Sequence, residues 1–148
     1  MKIRNDQVVL FGETILQIPL KGKSNRLRVR LVHMLNEHCE KVINKETNLL
    51  YEEYAIRDEH NNKLFHDIEQ IQPQIKEEFY LEVNELMSEY LHIEMNENNK
   101  EMLLNICNVL LDDDCPIELS GQTAILYDQW CEECELVLEF YNNQTQSE

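Results

Sequence analysis

The sequence predicts a mostly α fold, in which a long antiparallel helical hairpin joins a smaller helical C-terminal part with at most two short strands. Three observations predict it. Strong helix formers (Leu, Glu, Lys, Gln, Met) recur along all 148 residues, while only three Gly and three Pro interrupt them. Apolar residues step by threes and fours over spans too long for strands. Hydrophobic residues make up 43% of the chain, enough to build a core.

Taken in order, Met1–Arg4 reads as a short strand or an arm. Asp6 is expected to N-cap a first helix reaching about Gln17, with Val8, Val9, Phe11, Ile15 and Leu16 as its apolar face. Pro19 ends it. Ser24 reads as the cap of a second helix to about Arg57, whose apolar positions run from Leu27 through Leu31, Leu35, Ile43 and Leu50 to Tyr54. Such a helix is roughly 50 Å long at 1.5 Å per residue, too long for a compact domain of this size. It is therefore expected to form a protruding hairpin or a dimer seam.

RDEHNNK, residues 57–63, marks the hairpin tip. A third helix is expected from Leu64 to about Tyr90, cleaner after Pro73, with Ile75, Phe79, Val83, Leu86 and Tyr90 inside. LHIEM, 91–95, alternates as a strand does and is expected to pair with IEL, 117–119. Between them lies a fourth helix from Asn98 to Leu111. Ser120 caps a last helix through about Leu138, with Trp130 on its apolar side. The organisation predicted is a hairpin region 1–90, a C-terminal helical region 91–141 and a disordered tail 142–148.

Charge is unevenly spread. The formal net charge is −16. Residues 1–30 hold seven of the 13 basic side chains and only Asp6 and Glu13, and no Lys or Arg follows Lys100. A surface this acidic repels a phosphate backbone, so nucleic acid is not the expected partner. No run approaches 18 apolar residues, and the first 20 residues lack the apolar stretch of a signal peptide, so neither a membrane span nor secretion is expected. Five cysteines, an odd number, fit reduced thiols in a cytoplasm.

No catalytic motif stands out, and no enzyme activity, cofactor or metal is expected. Cys131 and Cys134 form a C-x-x-C with Cys107 and Cys115 upstream, but the spacing is poor for zinc. Glu132 and Glu133 would raise those thiol pKa values, against the need of a nucleophile. His33 and His38, five apart, do not share a helix face. Asp112, Asp113 and Asp114 lack the alternating ligands and terminal Glu of an EF-hand loop. The candidates for partner binding are therefore charge clusters: Lys21, Lys23, Arg26, Arg28 and Arg30 on one side, and Asp112, Asp113, Asp114, Glu132 and Glu133 on the other. Positive charge at a helix N-terminus opposes the macrodipole, so the basic cluster is not placed for the stability of that helix.

The segments MKIRNDQVV, IPLKGKSNRLRVRLV, LLYEEYAIRDEHN, ELMSEYLHIEM and IELSGQTAILYDQW follow one another in a recognisable order. In this the chain resembles a family of small uncharacterised phage proteins of Gram-positive bacterial hosts, whose pattern starts MKI-N and closes its long helix near E-YA-+DE. It departs from the pattern at DDDCP and in its cysteines. The resemblance implies a phage gene product acting in the host bacterial cytoplasm, and it carries over no catalytic residues. The function expected is non-enzymatic binding and modulation of a host or anti-phage defence protein through charged helical surfaces. The alternatives are a virion or tail-assembly accessory and a DNA-mimic inhibitor. A homo-oligomer, a dimer, is expected because the long helix has more apolar positions than one hairpin partner covers.

Overall fold

The computed structural model of the chain describes residues 1–62 and 73–145. The architecture is mostly helical, as predicted, with a single pair of short strands among the described residues. β1 (Lys2–Arg4) pairs antiparallel with β2 (Tyr90–His92), setting Ile3 opposite Leu91. The expected pairing of 91–95 with 117–119 does not form. Residues 117–119 are irregular, and the Ile117 amide is used locally, donating to the Cys115 carbonyl at 2.8 Å. The alternation of residues 1–5 explains the partner chosen. Met1, Ile3 and Asn5 turn inward and are buried, and buried Ile93, just after β2, donates its amide to the Met1 carbonyl at 2.8 Å.

A 3₁₀ turn (Asn5–Gln7) leads into α1 (Val8–Gln17). Asp6 is not the N-cap of that helix. Its carboxylate accepts from Arg4 instead, with Nε at 3.0 Å, an exposed pair that raises the Arg4 pKa. The buried stripe of α1 is Val8, Phe11 and Ile15, while Val9 and Leu16, expected on the apolar face, lie outside.

α2 (Gly22–His38) passes through a π-helical turn (Cys39–Ile43) into α3 (Asn44–Glu53) without a break. Gly22 begins this run at φ +57, a conformation that costs glycine little and other residues more. Ser24 is not its cap. The hydroxyl donates to Asn105 Oδ1 at 2.6 Å, tying α2 to a later helix. Leu27, Leu31 and Leu35 face the core. A π turn holds one residue more than an α turn and so rotates everything after it. Beyond it Ile43 is buried, but α3 has no fully buried residue.

α3 continues outward and is met by α4 (Pro73–Ser88). Phe79 of α4 sits between Tyr51 and Tyr54, with ring centroids at 5.0 and 5.7 Å. This is the expected hairpin, with its first arm ending earlier than the predicted Arg57. α3 stops at Glu53, and Asp58 organises the turn by accepting from the His60 and Asn62 amides at 2.9 and 2.8 Å. Pro73 stands at the first position of α4, as predicted, whereas the expected start at Leu64 lies outside the described residues. Tyr90, predicted inside, belongs to β2 and is exposed.

α5 (Glu97–Leu110) is capped by Asn96, whose side chain accepts from the Asn99 amide at 3.0 Å. α6 runs Gly121–Thr145, past the expected end at Leu138 and into the segment 142–148 expected to be disordered. Residues 146–148 lie outside the described residues. One buried cluster unites Phe11 and Ile15 of α1, Leu31 and Leu35 of α2, Met102, Leu103 and Ile106 of α5, and Trp130, Val137 and Tyr141 of α6. The boundary predicted at 90/91 therefore falls inside β2, and both regions share this core. No helix among the described residues is long and apolar enough to cross a membrane.

Candidate protein-binding site

The basic cluster does not form one surface. α1 ends at Gln17 because Pro19 follows, which leaves its last carbonyls short of amide partners, with Ile15 accepting a long bond from the Ile18 amide at 3.4 Å. Arg28, buried on α2, supplies the missing donors. Its Nη1 donates to the carbonyls of Ile15 at 3.1 Å, Leu16 at 3.4 Å and Ile18, and its Nη2 donates to Asn25 Oδ1. A cation at a helix C-terminus also meets the favourable end of the macrodipole. Arg28 therefore serves α1 rather than a partner. Its position at the start of α2 makes sense only once the two helices are seen side by side. Lys23 is exposed but paired with Glu101 of α5. Lys21, Arg26 and Arg30 are exposed and make no ion pair among the described residues.

The acidic candidates separate in the same way. Glu133, expected on a docking face, is only about one-fifth exposed at its side chain. Its Oε2 accepts from the Lys2 amide at 2.9 Å and its Oε1 lies 4.0 Å from Lys2 Nζ, so it fastens β1 to α6. Asp112, Asp113 and Asp114 are exposed in the turn after α5. There Asp112 Oδ1 accepts from the Asp114 amide at 2.9 Å, which closes the turn. Glu132 is exposed.

Glu132 lies at the centre of the most distinctive surface of the molecule. Trp130, Cys134, Val137 and Tyr141 recur at steps of four, three and four and are buried, which fixes the inward side of α6. The opposite side carries Asp128, Glu132, Glu135 and Glu139, all exposed, together with Ile125 and Leu136, which are 57% and 55% exposed. Ile125 and Leu136 are three turns apart on this one side, roughly 16 Å. No cation lies anywhere on the helix. Leu136 also forms the lip of a cleft of about 440 Å³ between α6 and the residues after β2, with Met1, Ile93, Met95 and Val137 as apolar walls and Glu94 and Glu133 at its edge.

The exposed face of the sheet carries Lys2, Arg4, Tyr90 and His92. Lys2 Nζ lies 5.4 Å from the Tyr90 ring centroid. Both cations are committed to neighbours, Lys2 to Glu133 and Arg4 to Asp6.

Cys107 and Cys134 are buried between α5 and α6, within the core. Contact with Cys107, then burial, pushes the Cys134 thiol up. Burial, then the charges of Asp128 and Glu135, pushes Cys131 up as well, and its thiol points at the Leu110 carbonyl, 3.8 Å away. Thiols held in this form are packing residues rather than nucleophiles. Tyr127 OH donates to the same carbonyl at 2.7 Å. Among the described residues no group of three or more His, Cys, Asp or Glu is arranged to hold a metal ion.

Of the histidines, His33, His60 and His92 are exposed, and His66 lies outside the described residues. His38 has a defined role. Its Nε2–H donates to Oδ1 of buried Asn5 at 2.7 Å, and Asn5 Nδ2 donates to the Leu86 carbonyl at 2.8 Å. One short chain of bonds thus joins α2, the first turn and α4. Burial lowers the His38 pKa below its ordinary 6.5. The unfolded chain then takes up this proton first as pH falls. The contribution of His38 is complete above pH 6.5 and is lost as pH drops through that value toward the folded pKa. The urea midpoint is expected to fall between pH 7.5 and 5.5, and His38→Gln, which keeps a donor for Asn5 but does not titrate, is expected to flatten that slope. An equal slope in both proteins would contradict the assignment.

Reading the sequence missed three residues that matter here. Asn5 was visible in MKIRN, but only the fold shows that it joins α2 to α4. Ile125 and Leu136 were visible as a spacing of eleven, one helix face, and were passed over because apolar residues on a helix are usually core.

No protein family, curated protein or solved structure matches the chain.

Proposed function

We infer that the chain is a phage protein that binds, without catalysis, a basic protein of its bacterial host or of an anti-phage defence system, and that it does so through the outer face of α6. The observation that carries this reading is the composition of that face: four exposed carboxylates interleaved with exposed Ile125 and Leu136, on a helix with no cation. Carboxylates alone are ordinary surface. Two large aliphatic side chains kept in water among them are not needed for folding, and they suit a partner that presents basic residues around apolar ones. The cleft beside Leu136 offers a place for one such apolar side chain.

The same face bears on DNA mimicry, because a stripe of carboxylates on a helix can enter a basic groove. Exposed Ile125 and Leu136 favour a protein-specific surface over a purely electrostatic one, since phosphates present nothing apolar at those positions. Salt separates the two readings. A mimic loses most of its affinity as ionic strength rises, whereas a face with apolar anchors retains a large part.

The experiment is affinity capture from the bacterial host, followed by titration of the captured protein with the wild-type chain and with Glu132→Lys/Leu136→Asp. Both positions are exposed, so the fold is retained, and the variant is expected to bind at least tenfold more weakly, a loss of about 1.4 kcal/mol or more.

A further inference from the structure

We propose that two copies of this chain associate edge to edge through β2, joining their two-stranded sheets into one antiparallel sheet of four. The pairing inside one chain decides which backbone groups are free to do this. Antiparallel ladders alternate between residues that exchange both backbone bonds and residues whose backbone groups turn away. The Ile93 amide donates to the Met1 carbonyl at 2.8 Å, the Met1 amine to the Ile93 carbonyl at 3.1 Å, and the Asn5 amide to the Glu89 carbonyl at 2.8 Å. By that alternation Ile3 and Leu91 also face each other, while Lys2, Arg4, Tyr90 and His92 turn their amides and carbonyls outward. On the β1 side the outward Lys2 amide is used, donating to Glu133 of α6. On the β2 side the amides and carbonyls of Tyr90 and His92 make no hydrogen bond among the described residues. Tyr90 and His92 are exposed, and no proline or lysine blunts this edge.

The occupant is a second copy because the edge is complementary to itself. A two-fold axis at Leu91 sets Tyr90 of each copy opposite His92 of the other, and each such pair exchanges both of its backbone bonds, four in all. Leu91 then stands opposite Leu91 of the second copy at roughly 4.5 Å between Cα atoms, the position in the ladder that exchanges no bond. Its own amide and carbonyl already face Ile3, so nothing is left unpaired. A slip of one residue would set the outward groups of Tyr90 against the inward groups of Leu91, so the parity of the ladder fixes the register. The two Leu91 side chains, half-buried in one copy, meet on the core side of the sheet, and Tyr90 lies beside His92 of the second copy on the outer side. No carboxylate lies within Tyr90–His92, so the seam brings no like charges together. The arrangement closes on itself and leaves no open end at β2. β1 stands between this edge and α6, so the dimer is independent of the binding face proposed above.

The seam is uncharged while each copy carries −16, so the two bodies repel and added salt is expected to strengthen the dimer. Three residues a side is less than a standard interface. The dimer is therefore expected at about 100 μM chain and monomer near about 1 μM. The test is sedimentation equilibrium of the full chain across that range at about 0.05 and 0.5 M salt, with amide hydrogen exchange at both concentration limits. The Tyr90 and His92 amides are expected to exchange at least tenfold more slowly at the high concentration, while the Leu91 amide, paired within the chain, is protected at both. His92→Pro removes an outward amide that only the second copy uses, and an edge strand tolerates it. It is expected to stay folded by circular dichroism and to be monomeric throughout. Tyr90→Lys, which leaves the backbone untouched, is expected to raise the dissociation constant at least tenfold and decides the matter if His92→Pro does not fold. Wild-type protein that is monomeric at high salt and high concentration would overturn the proposal. So would a dimer in which the Tyr90 and His92 amides exchange as they do in the monomer, a folded His92→Pro protein that still dimerises, or Tyr90→Lys with an unchanged dissociation constant.

Discussion

Arg28→Met is expected to lower the stability of the chain by about 3 kcal/mol, far more than any other change in the basic cluster. The guanidinium is buried and meets three carbonyls at the end of α1 together with Asn25 Oδ1. Hydrogen bonds to a charged donor contribute about 1.5–3 kcal/mol, and their removal takes the Arg28 donor from the Leu16 and Ile18 carbonyls and leaves Ile15 with the long bond from the Ile18 amide at 3.4 Å. Methionine preserves much of the apolar stem, so the loss isolates the polar head. Lysine is expected to rescue it only in part, because its one ammonium can take the place of Nη1 at the carbonyls but not also that of Nη2 at Asn25 Oδ1. Arg26→Ser and Arg30→Ser, both exposed, are expected to change folding stability by less than about 0.5 kcal/mol. Chemical denaturation of the three variants, under conditions where all are monomeric, checks the contrast. Equal losses at the three positions would mean that Arg28 is one surface charge among several.

Trp130→Ala is expected to cost more, about 3–5 kcal/mol, and to lower the melting temperature by roughly 10 °C or more. Trp130 is the largest buried side chain, and it joins the two ends of the sequence. Its ring meets Phe11 edge to face at 5.0 Å, and its indole N–H donates to Gln7 Oε1 at 3.1 Å. Alanine removes the packing and opens a cavity between α1 and α6. Trp130→Phe keeps the aromatic contact and gives up the hydrogen bond and part of the volume, so it is expected to lose clearly less than the alanine variant. Since Trp130 is the only tryptophan, its fluorescence reports directly on whether α6 is seated on α1 in the wild-type chain. Calorimetry or circular dichroism serves for the variants.

These two residues also show how far the sequence could be read. The helical periods were legible because burial repeats every three or four residues. Leu27, Leu31 and Leu35 face inward as their spacing requires, and Trp130 lies on the buried side of the last helix. Caps were less legible. Asp6 and Ser24 have the chemistry of N-caps, yet Asp6 pairs with Arg4 and Ser24 bonds Asn105, 81 residues away, because tertiary neighbours offered better partners. The strand partner was misread for a related reason. Alternation identifies a strand but not its mate, and the first residues of the chain were nearer in space than residues 117–119. The π turn at Cys39–Ile43 has no composition signal at all, and it sets which side of α3 meets α4.

The candidate site divides along the same line. Charge clusters can be counted in a sequence, but burial cannot. Arg28 and Glu133 were grouped with surface charges by proximity, and folding assigned both to internal ties, one at the end of α1 and one at β1. Glu132, adjacent to Glu133, turned outward by 100° of helix rotation and lies at the centre of the acidic face. The apolar members of that face, Ile125 and Leu136, could be recognised only after the core had been filled without them.

The measurement that tests the central claim most directly is the affinity of one captured host partner for three forms of the chain, measured in solution at fixed salt: wild type, Glu132→Lys/Leu136→Asp on α6, and Arg26→Ser/Arg30→Ser on α2. A loss of tenfold or more for the α6 variant, with the α2 variant within about threefold of wild type, is the result predicted here. An α6 variant that binds as wild type does, or a loss confined to the α2 variant, would contradict the assignment of partner binding to the outer face of α6.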